Sequence, residues 1–252
     1  MSKIISVHSF RGGTGKSNTT ANLATLLAQK GLKVGVVDTD IASPGIHIIF
    51  GLIDESQIGH SLNDYLWGKC DIEDTAHDVT SNLGTDIAGQ VLLIPSSIKP
   101  GEIARILQEG YDVGLLNDGF EALISGLDLD VLVIDTHPGL NEETLLSIAV
   151  SDELLIILRP DRQDFQGTSV TVEVARKLDV PNMLLLVNKV PHSFDTDAII
   201  SQVEQTYHCE VAAVFPHSDE MMALASSGIF VLKYPDNPIT KSLEELADRL
   251  KP

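Results

Sequence analysis

Short apolar runs and amphipathic stretches alternate along this chain from one end to the other. Ile4–Val7, Val34–Val37, Val91–Ile94, Val131–Ile134, Leu154–Leu158, Met183–Val187 and Val211–Phe215 form the apolar runs. Several are continuous rather than alternating, which predicts strands covered by helices on both faces. Between the first two, Asn18–Lys30 places Leu23, Leu26 and Leu27 on one helical face and stops at Gly31. Gly101–Glu109, Asn141–Val150, Gly167–Leu178 and Asp195–Tyr207 are the further predicted helices. The rhythm predicts an α/β fold, a doubly wound and mostly parallel sheet of about seven strands with helices on both faces. Residues 1–252 read as a single domain, with no internal repeat and no low-complexity linker.

Two stretches stand apart from this rhythm. Asp54–Asp86 is acidic and weakly periodic except for a predicted helix around Ser61–Trp67, and reads as an insertion-like surface region. At the other end, Leu243, Leu246, Ala247 and Leu250 form a narrow apolar stripe, and Ser242 with Glu245 matches a capping box. The polar face of that helix carries Glu244, Glu245 and Asp248, which anionic lipid would repel, so the expected role is a docked core helix and not a membrane anchor.

Composition narrows the function classes. The chain has 17 Lys+Arg against 36 Asp+Glu, a net charge of −19, which argues against a general nucleic-acid coat while leaving room for a local basic patch. Cys70 and Cys209 are too few and too distant for a disulfide framework or a zinc knuckle, as expected in a reducing compartment. No apolar run reaches 18 residues and the first ten residues read as a strand, not a signal peptide, so a cytoplasmic location is expected.

The strongest chemical signal lies between the first strand and the first helix, in Phe10-Arg11-Gly12-Gly13-Thr14-Gly15-Lys16-Ser17. Glycines let the backbone turn its N–H groups toward phosphate oxygens, Lys16 neutralises charge, and the helix N-terminus adds a favourable dipole. Ser17 is positioned to place its hydroxyl on Mg²⁺. The strict G-x-x-x-x-G-K-[ST] pattern is broken because Phe10 occupies its first glycine position. Nucleotide binding is the expected chemistry, with Gly12, Gly13, Thr14, Gly15, Lys16, Ser17 and Asn18 around the phosphates.

The loop resembles the deviant Walker A box, K-G-G-x-G-K-[ST], of the ParA/MinD family of ATPases, and the resemblance runs over nearly the whole chain. Val36-Val-Asp38-Thr-Asp40 is similar to the family's D-x-D segment, and Val131-Leu-Val-Ile-Asp135-Thr-His-Pro-Gly139 to its Walker B strand and following switch. Leu186-Val-Asn188-Lys189 and Val214-Phe-Pro216 resemble the two adenine-side segments. The resemblance implies ATP and Mg²⁺ as cofactors, with Lys16 on the γ-phosphate and Ser17, Asp38 and Asp135 around the metal. It implies that Asp40 polarises the attacking water, and that Asn188 and Pro216 flank the adenine. Arg11 stands where the family has a lysine that reaches across a nucleotide-sandwich dimer. Arginine keeps the charge and offers a bidentate fork, but the exchange is not conservative at such a site. Loss of that lysine also occurs in the carboxysome-positioning McdA branch, which makes the branch a candidate.

The resemblance implies an ATPase that forms a homodimer with ATP, cycles on and off a matrix and is stimulated by an adaptor protein. Nonspecific DNA is the candidate matrix, which would make the protein nucleoid-associated. Arg159, Arg162, Arg176, Lys177, Lys233, Lys241, Arg249 and Lys251 are the cations available for it. An ATP-dependent ligase or synthetase of the same fold is the alternative. A carrier of a bridged metal cluster is not expected, because no cysteine follows Asp135 and the eight histidines are dispersed.

Overall fold

A computed structural model describes residues 2–252. The chain opens with β1 (Lys3–His8), α1 (Lys16–Gln29), β2 (Lys33–Asp38) and the single turn α2 (Ile46–Ile49). It continues through α3 (Leu62–Leu66), β3 (His77–Asp78), β4 (Gln90–Ile94), α4 (Pro100–Glu109), α5 (Gly114–Gly126) and β5 (Val131–Asp135). The second half contains α6 (Glu142–Ala149), β6 (Glu153–Leu158), α7 (Arg162–Lys177), β7 (Met183–Val190), α8 (Thr196–Tyr207) and β8 (Glu210–Pro216). Three helices close it, α9 (Asp219–Leu224), α10 (Phe230–Lys233) and α11 (Pro238–Leu250).

The strands form one eight-stranded sheet in the order β3-β4-β2-β5-β1-β6-β7-β8, parallel except for β3. The predicted doubly wound sheet is therefore present, with one strand more than expected. The additional strand is the antiparallel edge His77–Asp78, a two-residue pairing with no apolar run to announce it. Strands β5 and β6 are buried at every position, in keeping with their continuous apolar sequences. After β1 the chain crosses to β2, while β6 leads it to the opposite side, so β1 and its neighbours lie at the switch point. In such sheets ligands bind at the carboxyl ends of these strands.

Helices α1, α10 and α11 pack with the buried residues of one sheet face, including Leu23, Leu27, Phe230, Leu243 and Leu246. The burial of Leu243, Leu246, Ala247 and Leu250 bears out the docked-helix expectation. The helix starts earlier than expected, however. Asn237 accepts from Ile239 N and caps it, which leaves Ser242 in the helix interior and not at a capping box. The other face is covered in part by α3 and α5, with Leu62, Leu116, Phe120 and Leu123 buried there.

Residues 54–86 are more than a surface insertion. They contribute the buried side chains Leu62, Leu66, Ile72, Val79 and Leu83 as well as the edge strand. The helix around Ser61–Trp67 forms, with Ser61 at its N-cap. Helix α7 begins at Arg162, five residues before the expected Gly167, because the Asp161 carboxylate caps Gln163 N and Asp164 N. Among the described residues no helix is long and apolar enough to cross a membrane.

Candidate functional site

The sheet brings the carboxyl ends of β1, β2 and β5 side by side. Asp38 and Asp135 are in register as direct neighbours on the last pair of β2 and β5. Both are buried, and Lys16 at the start of α1 is buried with them. This is what the strand order alone produces: residues far apart in sequence meet because each ends or follows a central strand.

The loop from Phe10 to Gly15 links β1 to α1. Gly15 has a φ of 104° and caps the helix, a conformation that favours glycine. Thr14 donates to Ser9 Oγ at 2.9 Å, and Ser9 in turn donates to the Arg11 carbonyl at 2.7 Å, so the loop is braced internally. It is also clamped from β7. Asn188 Nδ2 donates to the Thr14 carbonyl at 2.7 Å and Lys189 Nζ to the Gly13 carbonyl at 2.8 Å. These bonds occupy carbonyls on one side of the loop and leave its N–H groups for an anion. Helix α7 supports the loop as well, since a Cβ on Gly167 would overlap the Phe10 ring. Phe10 thus fills with packing the position where the strict phosphate-loop pattern has glycine.

The acidic cluster is strongly perturbed. Burial pushes the Asp135 carboxyl up to about 6, opposed by hydrogen bonding to Ser17 and by the charge of Lys16. Burial also raises Asp38 well above the usual carboxylate range, reinforced by the charges of Asp135 and Asp40. Asp38 nevertheless organises the turn after β2, accepting from Asp40 N at 3.0 Å and Gly45 N at 3.3 Å. Asp40 is raised by burial, while His137 and Lys16 draw it back down. Lys16, Asp38, Asp40 and Asp135 thus form one electrostatic unit.

These shifts set a pH dependence for the nucleotide-free protein. The folded-state values of Asp38 and Asp135 lie above their unfolded values, so the folded state binds more protons in between. For Asp135 the associated stability is present below about pH 4 and is lost as pH rises through about 6, by a few kcal/mol at roughly 1.4 kcal/mol per unit, and the upward shift of Asp38 acts in the same direction. Asp64, Asp78 and Asp164 are shifted downward and act at lower pH. Urea unfolding is therefore expected to show a midpoint that falls between pH 4.5 and 6.5, and Asp135→Asn is expected to flatten the fall; an unchanged slope in that variant would refute the assignment (the pH values are about those of the window above).

The cluster fits a magnesium nucleotide. Among the described residues no group of three or more His, Cys, Asp or Glu side chains forms a closed metal site. Mg²⁺ takes few protein ligands and keeps phosphate oxygens and waters, so a serine hydroxyl with two adjacent carboxylates is a suitable donor set. Ser17 is close enough to Asp135 to oppose its upward shift, and Thr20 Oγ1 donates to Asp135 at 3.3 Å.

Beside the loop lies a cavity of about 500 Å³, within the range for a small ligand. Gly13, Gly15, Asn18, Asn188, Phe215 and Pro216 line it, so the residues expected at the base side meet there. Asn188 has one amide hydrogen committed to Thr14 and its Oδ1 to Lys189 N at 2.8 Å. Its role in holding the loop was not foreseen from the sequence.

Arg11 turns toward its own chain. Its guanidinium lies 3.3 Å from Asp164 and 3.7 Å from Asp161, both next to Arg159. Two histidines were also not singled out. His8 is buried behind the loop, and burial together with Lys16 and His137 lowers it to about 3, which keeps it neutral. His137 follows Thr136 after β5 and places Nε2 3.7 Å from Asp40 Oδ1. The signal for it in the sequence is a histidine two positions beyond a strand-end aspartate.

A sequence model of the AAA domain family matches residues 2–183. The chain is 28% identical over 251 residues to an uncharacterized ATP-binding protein of Methanocaldococcus jannaschii, covering 99% of this chain and 88% of that one. It is 25% identical over 258 residues to the septum site-determining protein MinD of Thermotoga maritima, covering 100% and 89%. Among solved structures, MinD of Pyrococcus horikoshii complexed with Mg-ADP superposes with a TM-score of 0.81 at 22% identity, over 99% of this chain and 96% of that chain. Apo McdA of Cyanothece gives 0.77 at 17% identity, over 99% of each.

Proposed function

The chain belongs to the AAA domain family and has the fold of the MinD and ParA ATPases, and from that premise we propose that it hydrolyses ATP to ADP and phosphate in order to position a cargo. One observation carries the reading: a braced glycine loop with buried Lys16 lies beside Asp38 and Asp135 at the ends of adjacent strands and Asp40 two residues beyond one of them. In this reading Gly12 to Ser17 and Asn18 surround the phosphates, Asn188 and Pro216 border the adenine, and Asp40 orients water. Ser17, Asp38 and Asp135 hold the magnesium shell, directly or through water. Bound Mg²⁺ would neutralise the phosphate charge that develops during transfer.

ATP closes a homodimer, in which Arg11 leaves Asp161 and Asp164 to face the partner's nucleotide. The closed dimer binds a matrix, and an adaptor protein stimulates hydrolysis and release. Nonspecific DNA is the proposed matrix, which gives a cytoplasmic, nucleoid-associated protein that moves a carboxysome, a plasmid or a protein complex, as in the McdA-like or ParA-like branches. Several candidate cations are already engaged within the chain, by a carboxylate or a backbone carbonyl. Arg159 pairs with Asp161 and Asp164, Arg249 with Glu210, and Lys251 with Asp248, while Arg176 donates to the Tyr207 carbonyl. Arg162, Lys177, Lys233 and Lys241 make no ion pair among the described residues and are the proposed contacts. With a net charge of −19 on each chain, DNA binding is expected to be weak and salt-sensitive.

Size-exclusion chromatography with light scattering tests the cycle. Asp40→Ala protein is expected to run as a dimer with Mg-ATP and as a monomer with Mg-ADP, and to retard DNA in a gel only with ATP, at about 50 mM salt more than at 200 mM. A monomer in both nucleotides would overturn the positioning reading. A dimer that leaves DNA unretarded at every salt concentration would remove DNA as its matrix.

A further inference from the structure

His137 is held in one orientation by the turn that follows β5. Its backbone carbonyl accepts from Thr144 Oγ1 at 3.2 Å, and its ring Nδ1 lies 2.6 Å from the Pro138 carbonyl. A carbonyl oxygen only accepts, so Nδ1 carries the hydrogen and Nε2 presents a lone pair. Asn141 Nδ2, 3.3 Å from the same Nδ1, directs its shorter bond of 2.8 Å to Glu143 Oε1 and caps α6 through its carbonyl. In its neutral form His137 therefore points an acceptor at Asp40 Oδ1, 3.7 Å away, whereas its cationic form is the one whose charge draws Asp40 down.

Two acceptors cannot hydrogen-bond each other, and 3.7 Å is too long for a direct bond in any case. Both atoms are within reach of one water molecule, which has two hydrogens to give. The side chains of His137 and Asp40 are 29% and 19% exposed, open enough to admit water. Asp40 also senses the charge of Lys16, so the pair lies beside the phosphate-neutralising group.

We propose that His137 is a water-positioning residue of the hydrolytic site, acting with Asp40 and resting on the ATP-hydrolysis reading above. A water that donates one hydrogen to Asp40 Oδ1 and the other to His137 Nε2 has its oxygen lone pair free for the γ-phosphorus. As the oxygen–phosphorus bond forms, the bond from phosphorus to the β,γ-bridging oxygen breaks and its electron pair stays on ADP. The hydrogen facing Asp40 passes to that carboxylate and then to solvent. The hydrogen facing His137 remains on the new phosphate, so His137 holds the water without taking a proton.

Phosphate release and the affinity for a fluorescent ATP analogue, measured on the full chain, separate this role from a structural one. His137→Ala is expected to lower kcat by about 10- to 100-fold, as misplacement of a reacting atom does, with analogue affinity changed less than about twofold. His137→Gln, whose Oε1 can accept the same hydrogen, is expected to recover most of the rate, and His137→Leu, which cannot accept, none of it. Circular dichroism identifies a variant that fails to fold, in which case the Gln–Leu comparison decides. An unchanged kcat in His137→Ala, equal losses in kcat and affinity, or equal rates for Gln and Leu would overturn the inference. Wild-type protein that binds the analogue and releases no phosphate would instead overturn the parent reading, and this inference with it.

Discussion

Asp40→Ala is expected to lower phosphate release by about 10²- to 10⁴-fold, the range for a positioned acid–base group, while nucleotide affinity changes by no more than about threefold. The asymmetry follows from where Asp40 sits. It lies two residues beyond β2 and retains 19% side-chain exposure, whereas Asp38 and Asp135 are buried in the strand-end pair. Its contacts are the Ser43 amide at 3.2 Å and the facing His137 ring, neither of which shapes the phosphate loop. Removing it therefore takes away a group beside the reacting atoms and leaves the cradle intact. Stopped-flow phosphate detection and equilibrium titration with a fluorescent nucleotide measure the two quantities separately. Equal losses in both would assign Asp40 to binding. An undiminished rate would remove it from hydrolysis altogether.

The parts of the site that were legible from sequence are those governed by local rules. Gly12-Gly13-Thr14-Gly15-Lys16-Ser17 between an apolar run and a helix announces its own function, because glycine, lysine and the helix N-terminus act within a few residues of each other. Asp38 and Asp135 were legible because each ends an apolar run. Their direct pairing was not, since it depends on β5 inserting between β1 and β2. The clamp of Asn188 and Lys189 on Thr14 and Gly13 spans more than 170 residues and carries no periodic signal. Lys189 even adopts a φ of 58°, a left-handed conformation that propensity alone argues against.

The fold shows the same division. Helix α5 contains Gly114, Gly119 and Gly126, which count against a helix in isolation, yet Leu116, Phe120 and Leu123 bury its inner face. Burial outweighs propensity there. Strand β3 is two residues long and exists because β4 offers an edge. The early starts of α7 and α11 come from the capping side chains Asp161 and Asn237, each ahead of the apolar periodicity. Arg11 was read by comparison with a lysine, and its engagement by Asp161 and Asp164 depends on an intervening strand that brings the start of α7 beside the loop.

Lys16→Ala is expected to weaken nucleotide binding by about 100-fold or more, close to 3 kcal/mol, without unfolding the chain. Lys16 is buried and lowers the cost of the charges on Asp40 and Asp135 as well as meeting phosphate. Without it the site would have to accept a polyanion next to three carboxylates, two of them buried. The empty protein has another route, because buried carboxylates without a partner take up protons rather than remain charged. Asp38 and Asp135 are already displaced upward, so they are poised to do so. The variant is therefore expected to be close to wild type in stability near pH 5 and less stable near pH 8 (pH values about one to two units either side of the shifted range). Thermal melts at the two pH values, with titration of a fluorescent nucleotide, test both halves. Undiminished affinity would show that the loop amides alone hold the phosphates. A loss of stability equal at both pH values would show that Lys16 acts there by packing and not by charge.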